Sequence, residues 1–136
     1  MAYWVACLST PMKVGNVTSN TGQSPRFFRA LRDIIPADGL LGSDEERRPY
    51  ECDGLTGYRE LPLAVAMPDR LDQVEQILSL CDSQGVPVIA RGAGTGLSGG
   101  ATPRRDTLLL SMARFSRIID VDPVGRTARV EPGVRN

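Results

Sequence analysis

Residues 86–101 read Val-Pro-Val-Ile-Ala-Arg-Gly-Ala-Gly-Thr-Gly-Leu-Ser-Gly-Gly-Ala. A short run rich in β-branched residues leads directly into nine positions, Gly92 to Gly100, of which five are glycine. Glycine within a regular element costs roughly 0.5–1 kcal/mol relative to alanine, so this density needs a reason. The usual reason is a backbone that must come close to an anion, with several N–H groups converging on phosphate oxygens. The stretch therefore predicts a strand followed by a phosphate-binding loop.

Two common phosphate sites fit this loop poorly. A mononucleotide P-loop requires a lysine that reaches the terminal phosphates, and residues 86–106 contain none. The dinucleotide fingerprint G-x-G-x-x-G is present from Gly94 to Gly99, and Asp120 follows at the distance expected of a ribose-binding acid. That fold needs a helix after the loop, but only seven residues separate Gly99 from the next strand-like run, which begins at Thr107. A free-standing nucleotide-binding module remains an alternative.

The composition is that of a soluble globular domain without a dominant charge. The chain has 136 residues, 16 basic against 16 acidic, which argues against nucleic acid or an anionic membrane as a partner. It contains no histidine, the commonest metal ligand and general base at neutral pH. Its three widely spaced cysteines favour reduced thiols, with Cys81 on the buried face of a helix. No apolar run approaches the ~18–20 residues of a transmembrane segment, and we expect a cytoplasmic protein.

Hydrophobic periodicity divides the chain into three parts. Residues 1–24 show no periodicity and predict a poorly ordered leader. Residues 25–60 predict a short helix, with Pro25 in its first turn, followed by a polar loop. Residues 61–136 carry the phosphate loop and predict the first part of a larger, truncated domain.

Within this last part the pattern predicts an α+β arrangement. Residues 61–67 and 86–90 predict parallel strands on either side of an amphipathic helix, residues 69–84, which together form a β-α-β unit. A further strand, 107–112, follows the glycine-rich loop. Residues 118–131 predict a β-hairpin with a four-residue turn.

Several segments resemble the FAD-linked oxidases of the vanillyl-alcohol oxidase/p-cresol methylhydroxylase group. Within that group the chain is most similar to the family of FAD-binding subunits of bacterial glycolate oxidases and D-lactate dehydrogenases. The resemblance extends over about residues 26–136, and it is most specific over 86–136. The segments that carry it are Val86–Ala101, Tyr50–Leu55, Pro62–Pro68, Met112–Phe115, Ile119–Arg126 and Ala128–Asn136.

The resemblance implies an incomplete PCMH-type FAD-binding domain and a set of cofactor contacts. The implied donors of backbone N–H groups to the FAD pyrophosphate are Gly92, Ala93, Gly94, Thr95, Gly96 and Leu97. Ser98 and Gly99 would complete the turn, and Arg91 would bias the loop electrostatically. Pro68 would lie beside the adenine, and Pro132 and Gly133 would touch the cofactor from the other side. Without histidine, FAD would be held non-covalently.

The resemblance also implies a reaction that this chain does not complete alone. The full protein would oxidise a 2-hydroxy acid, such as glycolate or D-lactate, to the 2-oxo acid. Further glycolate oxidase subunits would be its partners and would hold it at the inner membrane. We name no catalytic or metal-binding residue here, and we expect the fragment alone to be inactive. A non-catalytic remnant is a further alternative. For Asp53, a solvated loop acid and a structural role near the site both remain open.

Overall fold

The computed structural model describes residues 25–135, and its main sheet has four strands in the order β1-β2-β4-β3. These strands are β1 (Leu40–Leu41), β2 (Ala64–Ala66), β3 (Val88–Arg91) and β4 (Leu108–Ser111). The last three are parallel, and β1 is antiparallel to β2. The predicted parallel relation of β2 and β3 is therefore confirmed. They are not neighbours, however, because β4 lies between them and pairs with both.

Helix α3 (Leu71–Gln84) connects β2 to β3 and begins two residues later than predicted. Its start is fixed by the side chain of Gln73, whose Oε1 accepts hydrogen bonds from the N–H groups of Asp69 (2.9 Å) and Arg70 (3.4 Å). Its end is fixed by Gly85, which adopts the left-handed conformation with φ 64°. Cys81 lies on the buried face, as predicted.

The hydrophobic core lies between the main sheet and two helices, α3 and α1 (Pro25–Ile34). All four residues of β4 are buried, as expected of a central strand covered on both faces. Helix α1 contributes Phe27, Leu31 and the adjoining Ile35 to the same core. The segment upstream of residue 61 therefore packs with the part that follows it.

The region predicted as a polar loop, residues 42–60, contains short helices that the sequence pattern did not reveal. Helix α2 (Asp44–Arg47) begins with a capping box, in which Ser43 Oγ accepts from the Glu46 N–H and Glu46 Oε2 accepts from the Ser43 N–H. A 3₁₀ turn, Arg48–Tyr50, follows directly. Another, Ala37–Gly39, precedes β1. These elements are too short for a hydrophobic period to appear.

Strands β5 (Ile118–Asp122) and β6 (Thr127–Val130) form a separate two-stranded sheet, the predicted hairpin. The turn from Pro123 to Arg126 has the predicted length, and Asp122 Oδ1 accepts from the N–H groups of its second and third residues. Every residue of both strands is exposed. The expected leader, residues 1–24, lies outside the described residues. From residue 25 to 135, no helix is long and apolar enough to cross a membrane.

Candidate functional site

The glycine loop, residues 92–100, leaves the sheet at the carboxyl edge of its parallel strands. Because β2, β3 and β4 are parallel, Pro68, Gly92 and Met112 all follow their strands near this one edge. Open parallel sheets bind ligands in the crevice outside the carboxyl ends of the strands. The topology therefore places the glycine loop where such a ligand would lie.

Backbone N–H groups of the glycine loop remain available to donate hydrogen bonds to a ligand. Across residues 25–135, no N–H group of the glycine loop donates to a backbone carbonyl. Gly94 and Gly99 adopt φ of 73° and 74°, a conformation that side chains other than glycine rarely tolerate. A Cβ added at Gly96 would meet no protein atom within 4 Å. The absence of a side chain at Gly96 is thus not explained by packing within the protein, whereas close approach of a ligand would explain it.

A cavity of about 400 Å³ opens beside the start of the glycine loop. Of the residues implied as cofactor contacts, Arg91, Gly92, Ala93 and Gly133 line it. The remaining lining residues are Tyr50, Ser111, Ala113, Ser116, Ile118, Val134 and Arg135. This lining includes two arginines and, within the described residues, no acidic side chain. Its electrostatic character suits an anionic ligand.

The end of the hairpin packs directly on the start of the glycine loop. A Cβ at Gly92 would lie 2.7 Å from the carbonyl oxygen of Pro132, and one at Gly133 would lie 2.8 Å from that of Phe115. The Gly133 N–H also donates to Phe115 O at 2.8 Å. Glycine is required at both positions, because Gly92 meets the backbone of Pro132 and Gly133 meets the backbone of Met112 and Phe115 in the segment that follows β4.

Arg91, the last residue of β3, contacts the glycine loop through its guanidinium. Its Nη1 donates to the carbonyl oxygen of Cys52 at 2.7 Å, and its guanidinium lies 5.5 Å from the centre of the Tyr50 ring. A Cβ at Gly94 would collide with the same guanidinium. The cation is therefore held between the glycine loop and the Tyr50–Leu55 segment (residues 50–55).

The structure favours a structural role for Asp53 over a solvated loop acid, because this residue is only 5% exposed to solvent. Its Oδ1 accepts from the Leu55 N–H at 2.8 Å, and its Oδ2 accepts from the Ala101 N–H at 3.3 Å. The Leu55 N–H is the main reason that the pKa of Asp53 lies below its ordinary value, and the Ala101 N–H adds to it. The carboxylate thus links the Tyr50–Leu55 segment to the residue that follows the glycine loop.

Not all of the implied contact residues come together at the cavity. Thr95, Gly96, Leu97 and Ser98 are exposed and lie further along the glycine loop, and Gly99 is half-buried beside Leu55. Pro68 is fully buried at the end of β2 and lines no part of the cavity.

Sequence reasoning left open a structural role for Asp53 but did not predict that the Tyr50–Leu55 segment contacts Arg91 and Ala101. These residues have no hydrophobic period, and their contacts to Arg91 and Ala101 join positions 39 and 48 residues apart. The available signal was the cluster of Tyr50, Asp53 and Gly54 in an otherwise polar loop.

The dinucleotide-binding alternative can be compared with the geometry. The glycine loop leads through turns to β4, and no helix lies between residues 92 and 107, so the helix that a dinucleotide-binding fold requires is missing. Among residues 25–135, no group of three or more potential metal ligands comes together.

Residues 62–136, more than half of the chain, match the family model described as "FAD binding domain". The glycolate oxidase subunit GlcD of Escherichia coli (strain K12) is 57% identical over 107 residues, which cover 79% of this chain and 21% of that protein. The subunit of the same name from Bacillus subtilis (strain 168) is 36% identical, over 76% of this chain and 22% of the relative. D-2-hydroxyglutarate dehydrogenase of Xanthomonas citri pv. viticola is 32% identical, over 81% of this chain and 23% of the relative.

Solved structures share the fold at lower identity. The crystal structure of p-cresol methylhydroxylase with substrate bound superposes with a TM-score of 0.70 at 24% identity, over 83% of this chain and 24% of that one. Alkyldihydroxyacetonephosphate synthase gives a TM-score of 0.68 at 23% identity, over 83% of this chain and 23% of that one. The expected PCMH-type fold is thereby confirmed. The chain spans about a fifth of the length of the curated relatives it matches.

Proposed function

The chain belongs to the FAD-binding domain family, with FAD as its cofactor, and we propose that its glycine loop holds the FAD pyrophosphate. The observation that carries this proposal is the set of backbone N–H groups in residues 92–100 that donate to no backbone carbonyl of the described chain. A pyrophosphate carries about two negative charges, and oriented backbone dipoles can stabilise it without a buried lysine. Arg91, fixed beneath the glycine loop, adds a positive charge nearby.

The proposal assigns a role to each implied residue. Backbone N–H groups from Gly92 to Leu97 face the pyrophosphate, and Ser98 and Gly99 shape the turn. Pro132 and Gly133 approach the cofactor from the opposite side, which the contact of Pro132 with Gly92 at the start of the glycine loop supports. Pro68 lies beside the adenine in this proposal, and the support for that role is its position at the same edge of the sheet. FAD is held without a covalent bond, a proposal that the lack of histidine supports.

For the whole protein we propose oxidation of a 2-hydroxy acid, glycolate or D-lactate, to the 2-oxo acid. The names of the relatives, glycolate oxidase subunit and D-2-hydroxyglutarate dehydrogenase, support this substrate class. FAD, when bound, supplies the two-electron acceptor. Within this proposal the chain contributes cofactor binding, and the fragment alone is expected to be inactive. Partner subunits and attachment to the inner membrane belong to the same proposal.

Competition among nucleotides tests the assignment. The full 136-residue chain is titrated with FAD, with quenching of flavin fluorescence as the readout, and then challenged with NAD or ATP. The proposal expects saturable binding of FAD that an excess of NAD or ATP displaces poorly. Equal or tighter binding of NAD or ATP would instead favour the general nucleotide-binding module, and no binding of any of the three would favour the non-catalytic remnant.

A further inference from the structure

The Tyr50–Leu55 segment lies outside the residues matched by the family model, and it contacts the middle of the glycine loop and the residues on either side of it. At the start of the loop, the Cys52 carbonyl accepts from Arg91. In the middle, a Cβ at Gly54 would lie 2.7 Å from the carbonyl oxygen of Gly96 and 3.0 Å from that of Thr95. Beyond the end, Asp53 accepts from the Ala101 N–H at 3.3 Å.

The contact at Gly54 determines where two loop N–H groups point. The carbonyl oxygens of Thr95 and Gly96 are the atoms of their peptides nearest to a Cβ built on Gly54. In a planar trans peptide the C=O and the following N–H point in opposite directions, and the described residues contain no cis bond. The N–H groups of Gly96 and Leu97 therefore face away from the Tyr50–Leu55 segment, towards the exposed side of the glycine loop.

We propose that Asp53 is a positioning residue for FAD binding, which acts by fixing the glycine loop with its donors already directed outwards. The proposal rests on the proposed function of that loop. Asp53 itself is buried and faces away from solvent, so it acts through Leu55 and Ala101 rather than on the cofactor. A loop fixed before binding loses less conformational freedom when the ligand arrives, which raises the affinity.

The first test compares two asparagine substitutions in the full chain. Asp53→Asn keeps one acceptor oxygen and replaces the other with an NH2 group, so the two ends of the side chain can no longer accept from both Leu55 and Ala101. Asp122→Asn is the control for loss of the charge alone, because Asp122 accepts from two N–H groups of the hairpin turn through Oδ1 only, an acceptor that asparagine retains. We expect Asp53→Asn to raise the Kd for FAD by about tenfold, as the loss of one charge-assisted hydrogen bond implies, and Asp122→Asn to leave it unchanged.

Inorganic pyrophosphate serves as the second probe, because it reports on the glycine loop alone. In the unchanged chain it should displace FAD, and Asp53→Asn should weaken both ligands by the same factor. Gly54→Ala provides an independent variant, since its Cβ would push against the carbonyls of Thr95 and Gly96, with Gly57→Ala as its control in open space. Gly54→Ala should weaken FAD and pyrophosphate together and lower the free energy of unfolding by about 1–3 kcal/mol, because the backbone of the glycine loop must shift, whereas Gly57→Ala should leave both affinities unchanged.

The outcomes separate this inference from the proposed function. If the unchanged chain binds FAD, and Asp53→Asn and Gly54→Ala bind it equally well, the positioning role is wrong while the cofactor assignment stands. An equal loss in Asp53→Asn and Asp122→Asn would also overturn the positioning role. If the unchanged chain binds neither FAD nor pyrophosphate, the proposed function falls, and the positioning role falls with it.

Discussion

Gly94 and Gly96 stand two residues apart in the glycine loop, yet a side chain would meet different surroundings at each. Gly94 has a φ of 73°, and a Cβ there would collide with the Arg91 guanidinium. Gly96 has open space around the position of a Cβ. The first glycine is therefore required by the protein's own structure, whereas the second is not, and the proposed cofactor contact would account for it.

This contrast predicts that alanine lowers stability at Gly94 but not at Gly96. Gly94→Ala should lower the free energy of unfolding by about 1–2 kcal/mol, because alanine is strained at positive φ and must displace Arg91. Gly96→Ala should leave it within about 0.5 kcal/mol of the unchanged chain. Urea denaturation of the two variants measures the difference. Equal stabilities would contradict the loop conformation described above.

The cysteines provide a second prediction at the scale of single residues. Cys81 is 1% exposed, and its removal from water raises the pKa of its thiol to about 11. Cys52 is only partly buried. Iodoacetamide at pH 8, followed by peptide mass mapping, should modify Cys52 and spare Cys81 until urea unfolds the chain. Modification of Cys81 at the rate of Cys52 under native conditions would show that the face of α3 is not packed as described.

Helix α3 shows how one element joins the sheet to the glycine loop. It carries the chain from β2 to β3, so its packing sets the position from which the glycine loop begins. Ile77 is fully buried in the core, while its neighbour Leu78 is 44% exposed. The two side chains have similar volumes but differ in burial. A change at Ile77 therefore reports on packing in the core, and a change at Leu78 reports mainly on helix propensity.

Replacing these neighbours in turn measures the packing of α3. Ile77→Ala should lower the free energy of unfolding by about 2–5 kcal/mol, since it leaves a cavity in the core. Leu78→Ala should cost about 1 kcal/mol or less, because much of that side chain already meets water. Both values come from urea denaturation curves. A larger loss for Leu78→Ala than for Ile77→Ala would mean that α3 is rotated from the orientation described.

At this scale the sequence was informative where a pattern was long enough. The fourteen residues of α3 show a clear amphipathic period, and the run before Arg91 followed by glycines indicated both β3 and the glycine loop. Strand β1, with two residues, and α2, with four, are too short to show any period. The contact of Arg91 with Cys52 spans 39 residues, and no local pattern encodes it.

Seen as a whole, the molecule consists of a packed core and a hairpin that the core does not cover. The register pairs Ile118 with Val130 and Val121 with Ala128, so these apolar residues share one face of the hairpin. Val121 is 57% exposed and Val130 is 44% exposed. Uncovered apolar faces and open strand edges favour association between molecules.

This uncovered face predicts concentration-dependent self-association of the chain. Val121→Thr combined with Val130→Thr should reduce it, because threonine keeps the β-branched shape while making the face polar. Val124→Thr is the control, since Val124 is exposed at the turn and lies outside both strands. Sedimentation velocity over a range of concentrations measures the effect. If the double variant and the control associate alike, the hairpin face does not mediate contact.

The central claim is that the glycine loop binds FAD through its backbone, and titration of two valine variants tests it most directly. A Cβ at Gly96 or at Gly57 meets no protein atom within 4 Å, so both Gly96→Val and Gly57→Val should fold. Flavin fluorescence should show saturable binding by the unchanged chain and by Gly57→Val, and a Kd raised at least about tenfold in Gly96→Val. An unchanged Kd in Gly96→Val, or no saturable binding of FAD by the unchanged chain, would contradict the claim.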